Sequence, residues 1–399
     1  MSAPWLHVVG IGEDGMAGLS PAARAVVESA EVIVGGDRHH RLSDAVTAER
    51  IAWPHPFDAV IDLLLSHRGS RIVVLATGDP LWFSVGARLA RALPGAITFH
   101  PQISAFQLAA CRLGWSLADV ETLTVHGRPV EQMIPWIQPG ARLLVLTTGA
   151  ATPSEIAGFL RDRGYGESRM VAFSAMGGPD EARAEGKAAD WSAAVAPFNT
   201  LAVECVAGPG AELFSRLPGL PDDAFNHDGQ VTKQEVRAVT LARLMPMRGA
   251  LLWDIGAGCG SVGIEWMRAA PDARAIGLEP DPARRALAAA NAARLGAPRF
   301  ELLAATAPEG MAGLPAPDAV FIGGGLSAAV VDAALASLKP FGRLVANAVT
   351  LESEAVLLAL RARLGGDLAR ISVARAAPVG GRTGWRPMLP VTQWSLVKR

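Results

Sequence analysis

The chain has only three cysteines, Cys111, Cys205 and Cys259, far apart and never in a C-x-x-C pair. That excludes a disulfide framework and a structural zinc site as expectations, and it fits a reducing compartment. No window approaches 18 apolar residues without charge, so no transmembrane helix is expected. Met1-Ser2-Ala3-Pro4-Trp5 runs straight into a strand-like segment, with no basic region, apolar stretch and cleavage site in succession. A signal peptide is therefore not expected, and the protein reads as cytoplasmic with no membrane partner. Positive charge is not in surplus either: Lys plus Arg total 37 against 38 for Asp plus Glu. Phosphate neutralisation supplies most of the affinity of nucleic-acid binders, so no nucleic-acid partner is expected.

What is present is length and apolar material. At 399 residues, half of them apolar, the chain has enough for more than one core. Two segments open alike, with an apolar strand running into glycines: Trp5–Val9 into Gly10-Ile11-Gly12, and Ala250–Ile255 into Gly256-Ala257-Gly258-Cys259-Gly260. Between them Gly208-Pro209-Gly210 and Leu217-Pro218-Gly219-Leu220-Pro221 read as a linker, which gives domains of 1–215 and 222–399. Each half alternates strand-like runs with helical ones. In the first, strands fall at Arg71–Ala76, Arg142–Leu146, Met170–Phe173 and Leu201–Val206. In the second they fall near 250–255, 274–279, 299–304, 318–322 and 343–349, with helices over 261–269, 282–295 and 327–338. The fold class is α/β, with parallel sheets covered on both faces. After 365 the pattern changes, and Ile371–Ala376 with Val391–Val397 reads as a closing antiparallel pair.

The run Asp254-Ile255-Gly256-Ala257-Gly258-Cys259-Gly260 has the chemistry of a nucleoside site. Glycines let a ligand approach the backbone at the carboxyl end of a strand, and a helix follows with free N–H groups. Glu279 ends the next strand, 23 residues after Gly256. An acid about 20 residues on is where a ribose diol is held. The spacing is G-x-G-x-G rather than the G-x-G-x-x-G of dinucleotide enzymes. Asp254 would oppose a pyrophosphate but suits a cationic amino-acid end. S-adenosylmethionine is therefore favoured over a dinucleotide or an unliganded glycine turn.

Val231–Arg237, Leu252–Val262, Pro317–Gly324 and Gly342–Glu352 together resemble the precorrin methyltransferase/decarboxylase family, over roughly 222–399. The resemblance implies a Rossmann-like class I methyltransferase with a mostly parallel seven-stranded sheet. It also implies cofactor contacts from Thr232, Gly256, Ala257, Gly258, Cys259, Gly260, Glu279 and the Thr306–Ala307 turn. Members commonly carry an acid near 306, where this chain has threonine. Gly323, Gly324, Asn347 and Thr350 are candidates for the substrate side; Asn347 and Thr350 equally suit plain backbone satisfaction at a strand end.

In the first half, Gly10-Ile11-Gly12, then Thr77-Gly78-Asp79-Pro80, then Pro101-Gln102-Ile103-Ser104-Ala105, in that order, resemble the tetrapyrrole (corrin/porphyrin) methylase family over about 5–210. The resemblance implies a two-lobed fold with the cofactor between the lobes. Gly10, Gly12, Thr77, Gly78, Asp79, Ser104 and Ala105 would touch it. Gln102 stands where glycine is usual. His39-His40 tempts a metal reading, but adjacent side chains seldom converge on one ion, so no metal is expected.

Two methyltransferase architectures in one chain, both resembling corrin-pathway enzymes, imply two S-adenosylmethionine sites and a small tetrapyrrole substrate, methylated twice and decarboxylated. Asp228, Asn347 and Glu352 are candidate catalytic groups. Arg375, Arg382 and Arg386 are candidates for holding substrate carboxylates, or else plain surface arginines. A homo-oligomer is expected. The rivals are a class I RNA methyltransferase with an N-terminal recruiting domain, a cobalt-precorrin version of the same enzyme, and a non-enzymatic tetrapyrrole carrier.

Overall fold

A computed structural model describes residues 4–399. The chain divides into two compact units: one holds residues up to Val130 plus Ile137–Glu212, the other Glu131–Trp136 plus Leu213–Arg399.

The first unit carries two five-stranded sheets. One is built from β1 (Leu6–Ile11), β2 (Val32–Gly35), β3 (Glu49–Ala52), β4 (Ile72–Thr77) and β5 (Ile97–His100) in the order β3-β2-β4-β1-β5. All its pairings are parallel. Alternate residues of β1 explain this, because Leu6 and Val8 join one buried cluster while Val9 and Ile11 join another. The second sheet contains β6 (Glu121–Thr124), β7 (Arg142–Leu146), β8 (Arg169–Ser174), β9 (Ala182–Lys187) and β10 (Asn199–Glu204), ordered β6-β7-β10-β8-β9. Here only β6 and β7 run parallel. Helices α1 (Pro21–Glu28), α2 (Asp37–Leu42), α3 (Val60–Ser66), α4 (Gly86–Ala92), α5 (Ala105–Leu113) and α6 (Thr152–Asp162) fill the connections.

The second unit is a seven-stranded sheet flanked by α7 (Gln234–Leu244), α8 (Ser261–Ala269), α9 (Pro282–Leu295), α10 (Ala328–Ser337) and α11 (Leu351–Leu364). Its strands are β11 (Leu251–Ile255), β12 (Arg274–Leu278), β13 (Glu301–Leu303), β14 (Ala319–Ile322), β15 (Arg343–Ala348), β16 (Asp367–Ile371) and β19 (Val391–Val397), in the order β13-β12-β11-β14-β15-β19-β16. Only β19 runs against its neighbours. Leu252 faces one core, with Trp266 and Phe300; Leu251, Trp253 and Ile255 face the other, with Trp394. The topological switch lies between β11 and β14, so the crevice of the sheet opens at the carboxyl ends of those strands.

The expected closing pair is corrected here. β19 does pair antiparallel, but with Asp367–Ile371 and β15. Of the stretch read as its partner, Ile371 does pair with β19, but the last three residues, Ala374 to Ala376, belong to β17 (Ala374–Val379), which turns back on β18 (Arg382–Pro387) as a separate two-stranded hairpin. The two-residue Gly380-Gly381 link, with Gly380 at φ +58°, is a hairpin turn and not a break between strands.

Candidate functional site

In the second unit β11 delivers the chain into three glycines with positive φ: Gly256 at +71°, Gly258 at +57° and Gly260 at +80°. Their surroundings differ. A Cβ on Gly256 would fall 2.7 Å from the Gly324 backbone, so the turns after β11 and β14 lie backbone to backbone. A Cβ on Gly258 would meet nothing within 4 Å. The Gly258 N–H donates to Glu279 Oε2 at 2.9 Å, and Asp281 N–H donates to Oε1 at 3.0 Å. Glu279 is buried at the end of β12, yet each oxygen keeps a lone pair for a further donor.

Asp254 lies deeper, 1 % exposed, with Oδ2 accepting the Gly263 N–H of α8 at 2.9 Å. Its Oδ1 is buried without a partner. Burial pushes this carboxyl up to about 7, and neighbouring Glu279 adds to the rise. A second acid, an unfilled space at Gly258 and an unpaired buried oxygen suit a cationic nucleoside better than an anionic one. The residues present therefore fit S-adenosylmethionine.

The other candidate residues occupy varied places in this unit. Gly323 and Gly324 lie against the glycine turn, with the Gly324 N–H donating to Ile255 O at 3.3 Å. Thr306 is exposed, and its carbonyl accepts the Gly310 N–H at 2.8 Å beside Ala307. Thr232 gives its carbonyl to Arg237. Cys259 is buried with Ala257 in the core face, and its thiol is raised mainly by that burial. Asn347 sits in a polar network, donating to Thr240 Oγ1 at 3.1 Å and accepting from Gln393 Nε2 at 3.0 Å. Thr350 caps α11 by accepting the Ser353 N–H at 3.2 Å, and Glu352 is exposed in the first turn of that helix. Asp228 is exposed, pairs with Arg284 at 2.9 Å and has its carboxyl lowered, first by the Gln230 N–H. Arg375 pairs with Glu235 at 2.6 Å and Asp222 at 2.9 Å, whereas Arg382 and Arg386 stand exposed on β18.

Sequence reasoning passed over the groups that hold the segment ahead of α7 in place. Asn291 is fully buried and donates to both Cys259 O and Asn226 O at 2.9 Å. Glu265, 1 % exposed, accepts from Gly219 and Leu220 N–H and pairs with the fully buried Arg237 at 2.6 Å. Both lie in helices, where a polar residue is ordinarily read as surface.

In the first unit the ends of β1 and β4 meet. A Cβ on Gly10 would fall 1.9 Å from Gly78 O, and one on Gly78, at φ +60°, would fall 3.1 Å from Ser104 Cα. Ser104 caps α5 in a capping box with Gln107, and Ala105 opens the helix. Gln102 donates to Gly18 O. A cleft here is lined by Gly12, Glu13, Arg38, Thr77, Gly78 and Ala105 on one side and by Phe173, Phe198, Asn199 and Thr200 on the other, so both sheets contribute. Asp79 is half-buried and accepts the Leu81 N–H at 2.7 Å within its own turn. His39 turns to Gly36 and Thr77, and His40 has its imidazole lowered by burial, then by Arg50.

A family model described as "Tetrapyrrole (Corrin/Porphyrin) Methylases" matches residues 5–191, and one described as "Precorrin methyltransferase domain" matches 223–398. The chain is 48% identical over 400 residues to a Precorrin-6Y C(5,15)-methyltransferase [decarboxylating] from Sinorhizobium sp, covering 99% of this chain and 97% of that one. It is 32% identical to the Cobalt-precorrin-7 C(5)-methyltransferase of Salmonella typhimurium, over 42% of this chain and 82% of that protein. It is 33% identical to the Cobalt-precorrin-6B C(15)-methyltransferase (decarboxylating) of the same organism, over 45% of this chain and 91% of that protein.

Proposed function

Since the chain belongs to the precorrin-6Y C(5,15)-methyltransferase [decarboxylating] family, we propose that it methylates precorrin-6B at C5 and C15 and releases the C12 acetate carboxyl as CO2, giving precorrin-8. Residues 1–215 would carry the C5 methylation, and 222–399 the C15 methylation with decarboxylation. The observation that carries this reading is that each unit has its own glycine turn at the carboxyl end of a parallel strand. Separate Salmonella proteins named for C5 and for C15 chemistry support the same division. Two cofactor sites, a homo-oligomeric state and a cytosolic setting belong to the proposal.

S-adenosylmethionine supplies an activated methyl group on a cationic sulfonium. In the second unit Gly256, Gly258 and Gly260 keep the turn bare, and Glu279 offers lone pairs to two ribose hydroxyls. Asp254, whose carboxyl burial pushes up to about 7, lies beneath with its unpaired Oδ1 available as a hydrogen-bonding group. Thr232, Ala257, Cys259, Thr306 and Ala307 complete that set; Gly10, Gly12, Thr77, Gly78, Asp79, Ser104 and Ala105 form the other. No side-chain nucleophile is needed, because the reduced macrocycle presents an enamine-like carbon. The protein aligns it and excludes water. For decarboxylation the electron pair of the breaking C–C bond enters the ring, so the acetate needs desolvation and a pyrrolenine nitrogen needs a proton. Glu352, exposed at the mouth of α11, is the candidate acid that carries no ion pair; Asp228 is paired, and Asn347 is held as an amide bridge. Arg382 and Arg386 would receive substrate carboxylates, with Gly323, Gly324 and Thr350 also assigned to the substrate, while Arg375 anchors the hairpin to Glu235 and Asp222.

Mass spectrometry of the product formed from a purified metal-free precorrin and the methyl donor tests this. Two added methyl groups with loss of one CO2 are expected. A product that keeps its acetate, or gains a single methyl group under full turnover, would sink the reading.

A further inference from the structure

The polar groups at the floor of the N-terminal cleft fix the direction of one hydrogen bond. Thr77 Oγ1 accepts from Arg38 Nη1 at 2.9 Å. It also lies 3.0 Å from His39 Nε2. The other ring nitrogen, His39 Nδ1, accepts the Gly36 N–H at 3.1 Å and so carries no proton. A neutral imidazole has one N–H, which must then be on Nε2, pointing at Thr77. Burial, with Arg38 and His40 adding to it, pushes His39 down to about 4, so the ring is neutral near pH 7. A hydroxyl oxygen has two lone pairs, and both are now filled. Its one remaining capacity is to donate its proton.

We infer that Arg38 and His39 lock the Thr77 hydroxyl as a one-way donor into this cleft, where it receives a carboxylate oxygen of the bound ligand. Glu13 pairs with Arg38, and the guanidinium lies over the Phe198 ring at 4.1 Å, so the arrangement is braced from two sides. A hydroxyl that accepts from a guanidinium is polarised toward donation, and an anionic acceptor gains most from it. The apolar walls of the same cleft, Ile103, Leu108, Phe173 and Met176, weaken competition from water. Arg38 and His39 are thus positioning residues, acting through Thr77. The inference rests on the reading that this unit binds both cofactor and macrocycle, each of which carries carboxylates.

Calorimetry on the full chain with S-adenosylhomocysteine tests it. The unmodified chain should bind two equivalents, and Thr77→Val should weaken one of them by about ten-fold, as for a lost hydrogen bond to a charged group. Thr77→Ser, which keeps the hydroxyl, should stay within about two-fold of the unmodified chain, since the bond survives. Should Thr77→Val fail to fold, the His39 variants serve instead. His39→Leu should weaken the same site by about three-fold through loss of one neutral donor, and His39→Gln, which restores an N–H, should recover it. If 5′-methylthioadenosine, which has no carboxylate, is insensitive to Thr77→Val, the acceptor lies on the cofactor. If cofactor affinity is unchanged but KM for the macrocycle rises at constant kcat, the acceptor lies on the substrate. Two equivalents bound with neither change would overturn the inference alone; one equivalent in the unmodified chain would overturn the two-site reading beneath it.

Discussion

The glycine turns of the two units look alike in sequence and are unlike in space. In the first unit Gly10 is required by the protein itself, since a Cβ there would collide with Gly78 O at 1.9 Å. In the second, Gly258 has open space beside it, a positive φ, and an N–H committed to Glu279. The first glycine lets two strand ends close on each other; the second holds a bare backbone toward a crevice. A strand followed by glycines therefore announces a close approach, but whether of chain or of ligand depends on what a side chain would meet.

The largest effect that sharpens this contrast is Gly258→Arg. Its side chain would fill the open space, so the chain should bind one equivalent of S-adenosylhomocysteine in calorimetry and release no CO2. Undiminished CO2 release from the folded variant would break the contrast outright. Alanine scans the same difference more gently. Gly10→Ala should cost about 3 kcal/mol or more in chemical denaturation of the first unit, through overpacking against backbone. Gly258→Ala should cost about 1–2 kcal/mol, from the left-handed backbone alone. Equal costs would mean that the two turns do the same job. Next comes Glu279→Ala, which should weaken cofactor binding in the second unit by about ten-fold or more, because hydrogen bonds to a charged group contribute about 1.5–3 kcal/mol. An unchanged isotherm would remove Glu279 from the site.

The smallest effect is the pH dependence carried by Asp254. Burial raises this carboxyl from 3.8 to about 7, so the folded chain keeps a proton that the unfolded chain loses. The stability this contributes is fully present below about pH 4 and lost as pH rises through about 7. Asp254→Asn still accepts the Gly263 N–H and cannot ionise. Its melting temperature relative to the unmodified chain should therefore rise by a few degrees between pH 5 and pH 8. A constant difference would show that Asp254 does not titrate in that range.

The features legible in the sequence were local ones. β11, the glycines, α8, β12 and Glu279 follow one another within about thirty residues, and both faces of β11 are apolar, so periodicity and turn chemistry suffice. Short strands such as β3 and β9 were not separable from loops, because β9 alternates exposed with half-buried residues and has no apolar run. The long helix α11 was hidden behind the motif Val345–Glu352, whose last two residues already belong to it. Partners distant in sequence were least visible. Nothing local distinguishes Asn291 from a surface residue, and its three hydrogen bonds reach 32 and 65 positions back along the chain. Arg375 reads as a free cation until the fold brings Glu235 to it across 140 positions.

The contact between Gly256 and Gly324 has a mechanical consequence. Most neighbouring loops are separated by side chains that change rotamer and so absorb small displacements; here no side chain intervenes, and even one methyl group on Gly256 would not fit. The two turns therefore form a stiff joint. A shift of Gly324 toward the β11 turn meets main chain at once, and that turn is itself held two residues on, where the Gly258 N–H donates to Glu279. Close packing of main chain on main chain thus ties the position of one turn to that of the other through contact alone.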